Sequence, residues 1–223
     1  MLSGYEWDFS WVGSESWLLA TAALLSLKIL VISAFASVFF GLLIGEGLLS
    51  NRWYVNAPLR VFVDLFRLTP PMLQIVLVFF FVPMVFSVRL PALEAGIIAL
   101  SLNYAAFLSE IFRAGVVSLG KGQREAGEAM GMTPLTVLWR VIYPQALRRM
   151  LPPLTNMAVN LTKDTSLLSV IGVAEMFNIS QSIAARSFKN VEVLLVVAGL
   201  YLVINIPLAV ISNRLYARQS VKI

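Results

Sequence analysis

The sequence predicts an all-α integral membrane protein with five transmembrane helices. Of its 223 residues, 59% are hydrophobic and only 13% are charged, and the mean hydropathy is +0.83. A soluble domain of this length could not hide so much apolar surface from water, so we expect lipid to be its solvent. The apolar residues fall into runs of about 20 residues, the length of helix that spans a hydrocarbon core. We expect residues 1–223 to form a single transmembrane domain.

Five runs are long and apolar enough to span the bilayer. The segment before the first run lacks the basic stretch and the cleavage site of a signal peptide, so we expect this run to be retained. Thr69-Pro70-Pro71 interrupts the second run and predicts a kink there. Gly41 and Gly45 in the first run form a GxxxG pattern, which favours close helix packing. In chain order the expected spans are Leu19–Leu49, Val61–Val88, Leu93–Leu119, Leu154–Val173 and Val193–Leu215.

The distribution of lysine and arginine predicts the orientation. Three basic residues lie on one side of the expected spans, namely Arg89, Arg186 and Lys189. Twelve lie on the other side: Arg52, Arg60, Arg67, Arg113, Lys121, Arg124, Arg140, Arg148, Arg149, Arg214, Arg218 and Lys222. Because cytoplasmic loops carry the excess of positive charge, we expect the N-terminus outside and the C-terminus in the cytoplasm. This topology also explains the net charge of +5 without a nucleic-acid partner.

The longest polar stretch, about residues 120–150, follows the third span and is therefore expected in the cytoplasm. Residues 123–130 are good helix formers, and Gly131 suits the left-handed position that ends a helix. Thr133 can cap a second helix that has Pro134 in its first turn. Physical reasoning alone leaves open an ordinary amphipathic helix that lies on the membrane surface and joins two spans.

Catalysis by this chain is not expected. It contains no cysteine and no histidine, which removes thiol nucleophiles, imidazole bases and most transition-metal sites. Residues 115–122, GVVSLGKG, match part of a phosphate-binding loop, but Gly122 stands where a serine or threonine would hold magnesium. A spanning helix also precedes this stretch instead of a strand. We therefore expect no cofactor in the chain itself.

The polar stretch resembles the EAA loop of the permease subunits of ABC importers. The pattern is met by Glu125-Ala126-Gly127, by Gly131 and, after nine residues, by Val141-Ile142-Tyr143-Pro144. Gly127 replaces an alanine of the pattern and Tyr143 replaces a leucine, and we expect these changes to loosen the first helix. In that family the loop docks on the cytoplasmic ATPase subunit. The resemblance implies ATPase-coupling roles for Arg124, Glu125, Ala126, Gly127, Ala129, Met130, Gly131 and Met132.

Three further segments resemble the permeases of polar amino acid importers. They are FRLTPPMLQ at residues 66–74, SEIFRAG at residues 109–115 and KDTSL at residues 163–167. The resemblance implies the type I ABC importer permease fold and a place in the bacterial inner membrane. It also implies three kinds of partner: a second permease chain, identical or paralogous, an ATPase dimer that binds ATP and magnesium, and an amino acid binding protein.

Polar residues inside the expected spans are candidates for a substrate pathway, because they are costly in lipid. On the fourth span Asn156, Asn160 and Lys163 recur at helical spacing, with Asp164 at the edge of this stripe. Lys163 and Asp164 offer the two charges that complement an amino acid zwitterion, although a buried ion pair or hydrogen-bond cluster that holds subunits together explains them equally well. Gln74 and Asn103 are further pathway candidates, and simple interhelical hydrogen bonding is their alternative. Glu110 and Arg113 are expected to pair with each other or to anchor the coupling loop.

Other function classes fit the sequence less well. A secondary transporter would show paired halves, and the five spans show no internal repeat. A membrane enzyme would need a reactive constellation, for which only Glu110 and Asp164 offer acid or base chemistry. Within the importer family, a permease for methionine, a quaternary amine or an opine is the alternative to one for polar amino acids.

Overall fold

The computed structural model describes residues 6–220, which form helices and turns without any strand. A π turn, Leu138–Ile142, lies between the sixth and seventh helices, and a 3-10 segment, Thr165–Ile171, follows the seventh. The α-helices are α1 (Trp11–Leu48), α2 (Trp53–Leu68), α3 (Pro71–Phe86), α4 (Ala92–Val117), α5 (Gly120–Ala129), α6 (Pro134–Val137), α7 (Tyr143–Asp164), α8 (Met176–Ser187) and α9 (Asn190–Ser220). The all-α prediction is confirmed for the described part of the chain.

Three helices, α1, α4 and α9, are each long and apolar enough to cross a membrane. Two bent pairs of segments could each supply one more span. They are α2 with α3, which meet at a bend of 112°, and Pro134–Ile171 with α8, which meet at 56°. The described residues therefore provide between three and five spans, and the predicted five is the upper end of this range.

The second expected span, Val61–Val88, is not one kinked helix. α2 ends at Leu68 and α3 begins at Pro71. Two consecutive prolines lack the N–H groups that would continue the hydrogen bonding of α2, so the helix stops there. α2 is also amphipathic, because Asn56, Arg60, Asp64 and Arg67 recur along it at helical spacing.

The expected boundaries of the first and fourth spans also need correction. α1 begins at Trp11, well before Leu19. α7 begins at Tyr143 instead of Leu154, and it continues through Pro152 and Pro153 before it passes into the 3-10 segment. The 12-residue helix α8 was not expected, because a helix of this length is too short to appear as a hydrophobic span.

Close packing of α1 against α4 organises the core. A Cβ atom on Gly41 would lie 2.8 Å from the Cβ atom of Leu108, and one on Gly45 would lie 2.7 Å from Cδ1 of Phe112. Only glycine allows the backbones to approach this closely, so the GxxxG prediction is confirmed. A buried cluster that includes Leu100 of α4 then joins this pair to α3 and to the 3-10 segment.

Candidate functional site

The polar stretch forms a short helix, a glycine turn and a second helix start, as predicted. Gly131 has a φ of +78°. Its N–H donates to the Glu128 carbonyl oxygen at 2.9 Å, and the Met132 N–H donates to the Gly127 carbonyl oxygen at 3.1 Å. These two hydrogen bonds form a Schellman motif, which satisfies the last carbonyl groups of α5. The predicted end of the first helix is confirmed.

The start of α6 also follows the prediction. The Thr133 side chain accepts a hydrogen bond from the Thr136 N–H at 3.3 Å, and Pro134 occupies the first turn. The φ of proline is already suited to this position, and its missing N–H removes nothing from the helix. The rigid turn between α5 and α6 therefore has local causes on both sides.

Gly127 packs directly against Val137, the last residue of α6. Gly127 is buried, and a Cβ atom at this position would lie 2.7 Å from Cγ2 of Val137. The expectation that this glycine loosens α5 stays a prediction, and the missing side chain is what allows α5 and α6 to touch. The alanine of the EAA pattern would not fit beside the valine of this chain.

Most of the residues that we expect to contact the ATPase are exposed. Gly127 is buried and Met132 is half-buried. The exposed residues are Arg124, Glu125, Ala126, Ala129, Met130 and Gly131. Met130 is 69% exposed, although it is a large apolar residue. The segment from α5 to the glycine turn, residues 120–132, therefore presents charged, small and apolar groups together, and we call it the coupling segment.

The second departure from the EAA pattern, Tyr143, forms a hydrogen bond that leucine could not form. Its hydroxyl group donates to Oε2 of Glu46 at 2.6 Å. The Tyr143 ring lies between Phe112 of α4 and Trp139 of the π turn, with ring centroids at 5.8 Å and 5.1 Å. This departure connects the start of α7 with the end of α1.

Gln74 and Asn103 meet at the break between α2 and α3. Asn103 Nδ2 donates to Gln74 Oε1 at 2.8 Å. Gln74 Nε2 donates to the carbonyl oxygens of Phe66 at 2.8 Å and Thr69 at 3.0 Å. Both amides are buried and hold the break in place. This arrangement agrees with the alternative role given above, simple hydrogen bonding between helices. A direct contact of either one with substrate stays a prediction.

The polar stripe of the fourth span lies on one exposed face of α7, where Asn156, Asn160 and Lys163 all appear. Lys163 lines a cavity of about 310 Å³ whose wall also includes Ser166, Phe177 and Tyr201. Asp164 is half-buried, and its Oδ2 accepts a hydrogen bond from the Tyr104 hydroxyl group at 2.7 Å. The lysine is thus accessible, and the aspartate is held by α4.

Arg113 and Glu110 form the predicted ion pair, with 2.8 Å between Nη2 and Oε2. Tyr104 and the fully buried Glu175 were not predicted from the sequence. Both oxygens of Glu175 cap α8, by accepting from the N–H groups of Phe177 and Asn178 at 2.8 Å. An ionisable or hydroxyl group within an apolar stretch was the signal for both residues.

The described residues contain no acidic cluster that could hold a metal ion.

Comparisons with known proteins give the family. A family model described as "Binding-protein-dependent transport system inner membrane component" matches residues 37–221. The chain belongs to this family. The permease is 37% identical to the glutamine transport system permease protein GlnP of Escherichia coli K12, over 97% of its own length and 99% of that protein. It is 41% identical to the L-cystine transport system permease protein TcyB of Bacillus subtilis, over 73% of its length and 71% of that protein.

Solved structures agree with this assignment. The permease superposes on a chain of an amino acid ABC transporter, crystallised with histidines, with a TM-score of 0.88 and 27% identity. That match covers 96% of the permease and 100% of the other chain. A chain of the methionine transporter MetNI matches with a TM-score of 0.78 at 21% identity, over 92% and 97% of the two chains, and shows the fold alone. The type I permease fold and the resemblance to polar amino acid permeases are confirmed.

Proposed function

We propose that this permease subunit forms the translocation pathway of an ATP-driven importer of polar amino acids, and that its coupling segment docks on a cytoplasmic ATPase. The observation that carries the docking role is the exposed face of the coupling segment. It combines Glu125 and Arg124 with small residues and the apolar Met130. A rigid glycine turn fixes this face, and a fixed contact is what transmission of a conformational change requires.

The proposal includes five spans, with the N-terminus outside and the C-terminus in the cytoplasm. The ion pairs of the predicted outer side support this topology. Lys189 Nζ lies 3.4 Å from Asp8 Oδ2, and Arg186 Nη2 lies 3.4 Å from Glu15 Oε2. Four residues expected outside therefore lie together, and Glu46 and Tyr143 likewise lie together at the opposite end of α1. Of the basic residues assigned to the cytoplasm, Lys222 lies outside the described residues.

Polar amino acids are the proposed substrates because the relatives that match most of the chain are named for glutamine and cystine. Asn160, Lys163 and Asp164 are the proposed pathway residues. A lysine ammonium group and a carboxylate on neighbouring residues can complement the carboxylate and the ammonium group of an amino acid. These relatives do not favour methionine, a quaternary amine, an opine or secondary transport.

The proposed assembly contains a second permease chain, an ATPase dimer and a substrate-binding protein, in a bacterial inner membrane. Five helices are too few to enclose a pathway alone, so the second chain completes it. ATP and magnesium bind to the ATPase subunits in this proposal. The family to which the chain belongs supports this division of labour.

Reconstitution of the complete assembly in vesicles tests the proposal. We expect ATP hydrolysis to rise when binding protein and glutamine are added, and labelled glutamine to accumulate only with ATP. Competition by unlabelled cystine, histidine and methionine then ranks the substrates. Uptake driven by an ion gradient without ATP would contradict the proposal.

A further inference from the structure

Tyr143 and Glu46 join two parts of the chain that are 97 residues apart. Tyr143 is the first residue of α7, directly after the π turn, and Glu46 lies in the last turn of α1. Among the described residues, the hydrogen bond from Tyr143 is the only one that the Glu46 carboxylate accepts, and it forms no ion pair. The hydrogen bond between the start of α7 and the end of α1 therefore depends on one hydroxyl group.

Packing fixes the direction of this hydroxyl group. The Tyr143 ring is held between Phe112 and Trp139, and aromatic contacts of this kind add to the stabilisation from apolar burial. The oxygen atoms are 2.6 Å apart, a separation typical of a hydrogen bond to a charged acceptor. The bond is short and its donor is held in position, so a relative movement of α1 and α7 must stretch or break it.

The partner of Tyr143 belongs to a tightly packed helix pair. Glu46 follows Gly45, whose backbone lies against Phe112 of α4, so the end of α1 is wedged against α4. α4 is separated from α5 by Ser118 and Leu119 alone. The π turn before Tyr143 is a local irregularity of the kind that often marks functional positions in helices.

The same acidic side chain faces the coupling segment. Glu46 lines a cleft of about 860 Å³ together with Lys121 and Arg124 of α5. A displacement of α5 therefore changes the positive charge around the carboxylate that accepts the hydrogen bond. Both the mechanical connection and the electrostatic surroundings of Glu46 depend on where α5 lies.

We propose that the Tyr143–Glu46 hydrogen bond passes displacements of the coupling segment to α1, and that both are positioning residues for transport. The inference rests on the proposed docking role of that segment. The leucine of the EAA pattern would supply the packing of the tyrosine ring without this hydrogen bond. The hydroxyl group is thus the feature that this chain adds.

The test compares single-group changes in the reconstituted assembly, with amino acid uptake per ATP hydrolysed as the readout. Tyr143→Phe removes only the hydroxyl group, and Glu46→Ala removes the side chain beyond Cβ, including the acceptor oxygens and the charge. We expect each to lower uptake per ATP on the order of tenfold, a usual size for coupling between sites, and the double variant to be no worse than either single one. Glu46→Gln keeps an acceptor oxygen and should restore most of the coupling.

Tyr54→Phe is the matched control. Tyr54 lies in α2, is 58% exposed and donates no side-chain hydrogen bond within the described residues. It should behave as the unmodified chain does. Glu125→Lys tests the docking role separately and should abolish stimulation of ATP hydrolysis.

Each outcome decides between the two ideas. Unchanged coupling in Tyr143→Phe, with stimulation lost in Glu125→Lys, would overturn this inference and leave the docking role intact. Unchanged coupling in both variants would overturn the docking role as well. If Tyr143→Phe lowers the amount of assembled complex as much as it lowers uptake, the hydrogen bond is only structural and the inference is wrong.

Discussion

Gln74 donates a hydrogen bond to the carbonyl oxygen of Phe66, which has no helical partner because residue 70 is proline. In an unbroken helix this oxygen would accept from the N–H group four residues later. Asn103 of α4 donates to the same oxygen at 3.3 Å and to Gln74 itself at 2.8 Å. One amide pair therefore satisfies the carbonyl that the proline leaves free and fixes the break to α4.

Replacement of Gln74 by leucine should destabilise the permease. Gln74→Leu keeps a similar volume but leaves a partly buried carbonyl oxygen with one weak donor, which costs up to about 1–3 kcal/mol. We expect a lower unfolding temperature in detergent, measured as the midpoint of the cooperative thermal transition. Gln145→Leu is the control, because the half-buried Gln145 side chain has, within the described residues, a single hydrogen bond to the exposed Gln123 side chain. Equal stability of the two variants would show that the amide does not hold the break.

Restoring the family's alanine at Gly127 should be harmful in this chain. In Gly127→Ala the new Cβ atom meets the buried Val137 at 2.7 Å. Overpacking of this kind costs about 1–3 kcal/mol, which exceeds the roughly 1 kcal/mol that alanine adds to a helix. We expect a lower thermal stability and weaker stimulation of ATP hydrolysis.

A second substitution should reverse the effect of the first. Val137→Ala removes the two methyl groups in the way, so the double variant should recover stability relative to Gly127→Ala alone. Gly122→Ala is the control, because this glycine of α5 has open space around it. If Gly127→Ala is as stable as Gly122→Ala, the proposed contact between α5 and α6 is wrong.

Distortion of the glycine turn should uncouple the assembly. Gly131→Val places a β-branched side chain at a φ of +78°, a conformation that costs such residues about 1–2 kcal/mol or more. The coupling segment should tilt, so binding protein and substrate should no longer stimulate ATP hydrolysis, although the chain inserts normally. Glu125→Lys should act in the same way by reversing a charge at the contact. Gly122→Val is the matched control, and normal stimulation in Gly131→Val would make this segment a mere linker.

Asp164 and Tyr104 should affect uptake more than assembly. Asp164→Ala removes both a charge of the proposed pathway and the acceptor of the 2.7 Å hydrogen bond from Tyr104. Asp164→Asn removes only the charge. Because hydrogen bonds to charged groups are worth about 1.5–3 kcal/mol, uptake should fall on the order of tenfold or more in both. Tyr104→Phe leaves the charge and should raise KM more than it lowers the maximal rate. A parallel loss of assembled complex in Asp164→Asn would assign these residues to packing.

Reporter fusions test the topology. A reporter after Lys222 should be active in the cytoplasm, and one before Glu6 should be active outside, because twelve basic residues oppose three. Activity of both reporters on the same side of the membrane would rule out an odd number of spans.

Features with local causes could be predicted from the sequence. The turn at Gly131 and the cap at Thr133 depend on residues within a few positions of each other, so residue type alone was sufficient. The pairing of Glu110 with Arg113 follows from their separation by three positions along one helix. Polar spacing likewise gave the exposed stripe of α7.

Features that depend on distant neighbours could not be predicted. The proline pair indicated a kink between α2 and α3, but the bend of 112° depends on what α4 offers at Asn103. Gly127 was interpreted as a weak position because Val137 belongs to another helix, and only the fold shows that the two touch. The partner of Tyr143 lies 97 residues away, and no spacing rule reaches that far.

The exposed polar side chains of α7 affect the stability of a subunit that has not yet assembled. A newly inserted copy without a second chain presents Asn156, Asn160 and Lys163 to its surroundings, and a lysine at the centre of a bilayer costs about 2.5–3.5 kcal/mol. Such a copy is poorly solvated, whereas the proposed assembly with a second chain would shelter these groups around water and substrate. The stripe would thereby make an unassembled subunit less stable in lipid than one in the proposed assembly.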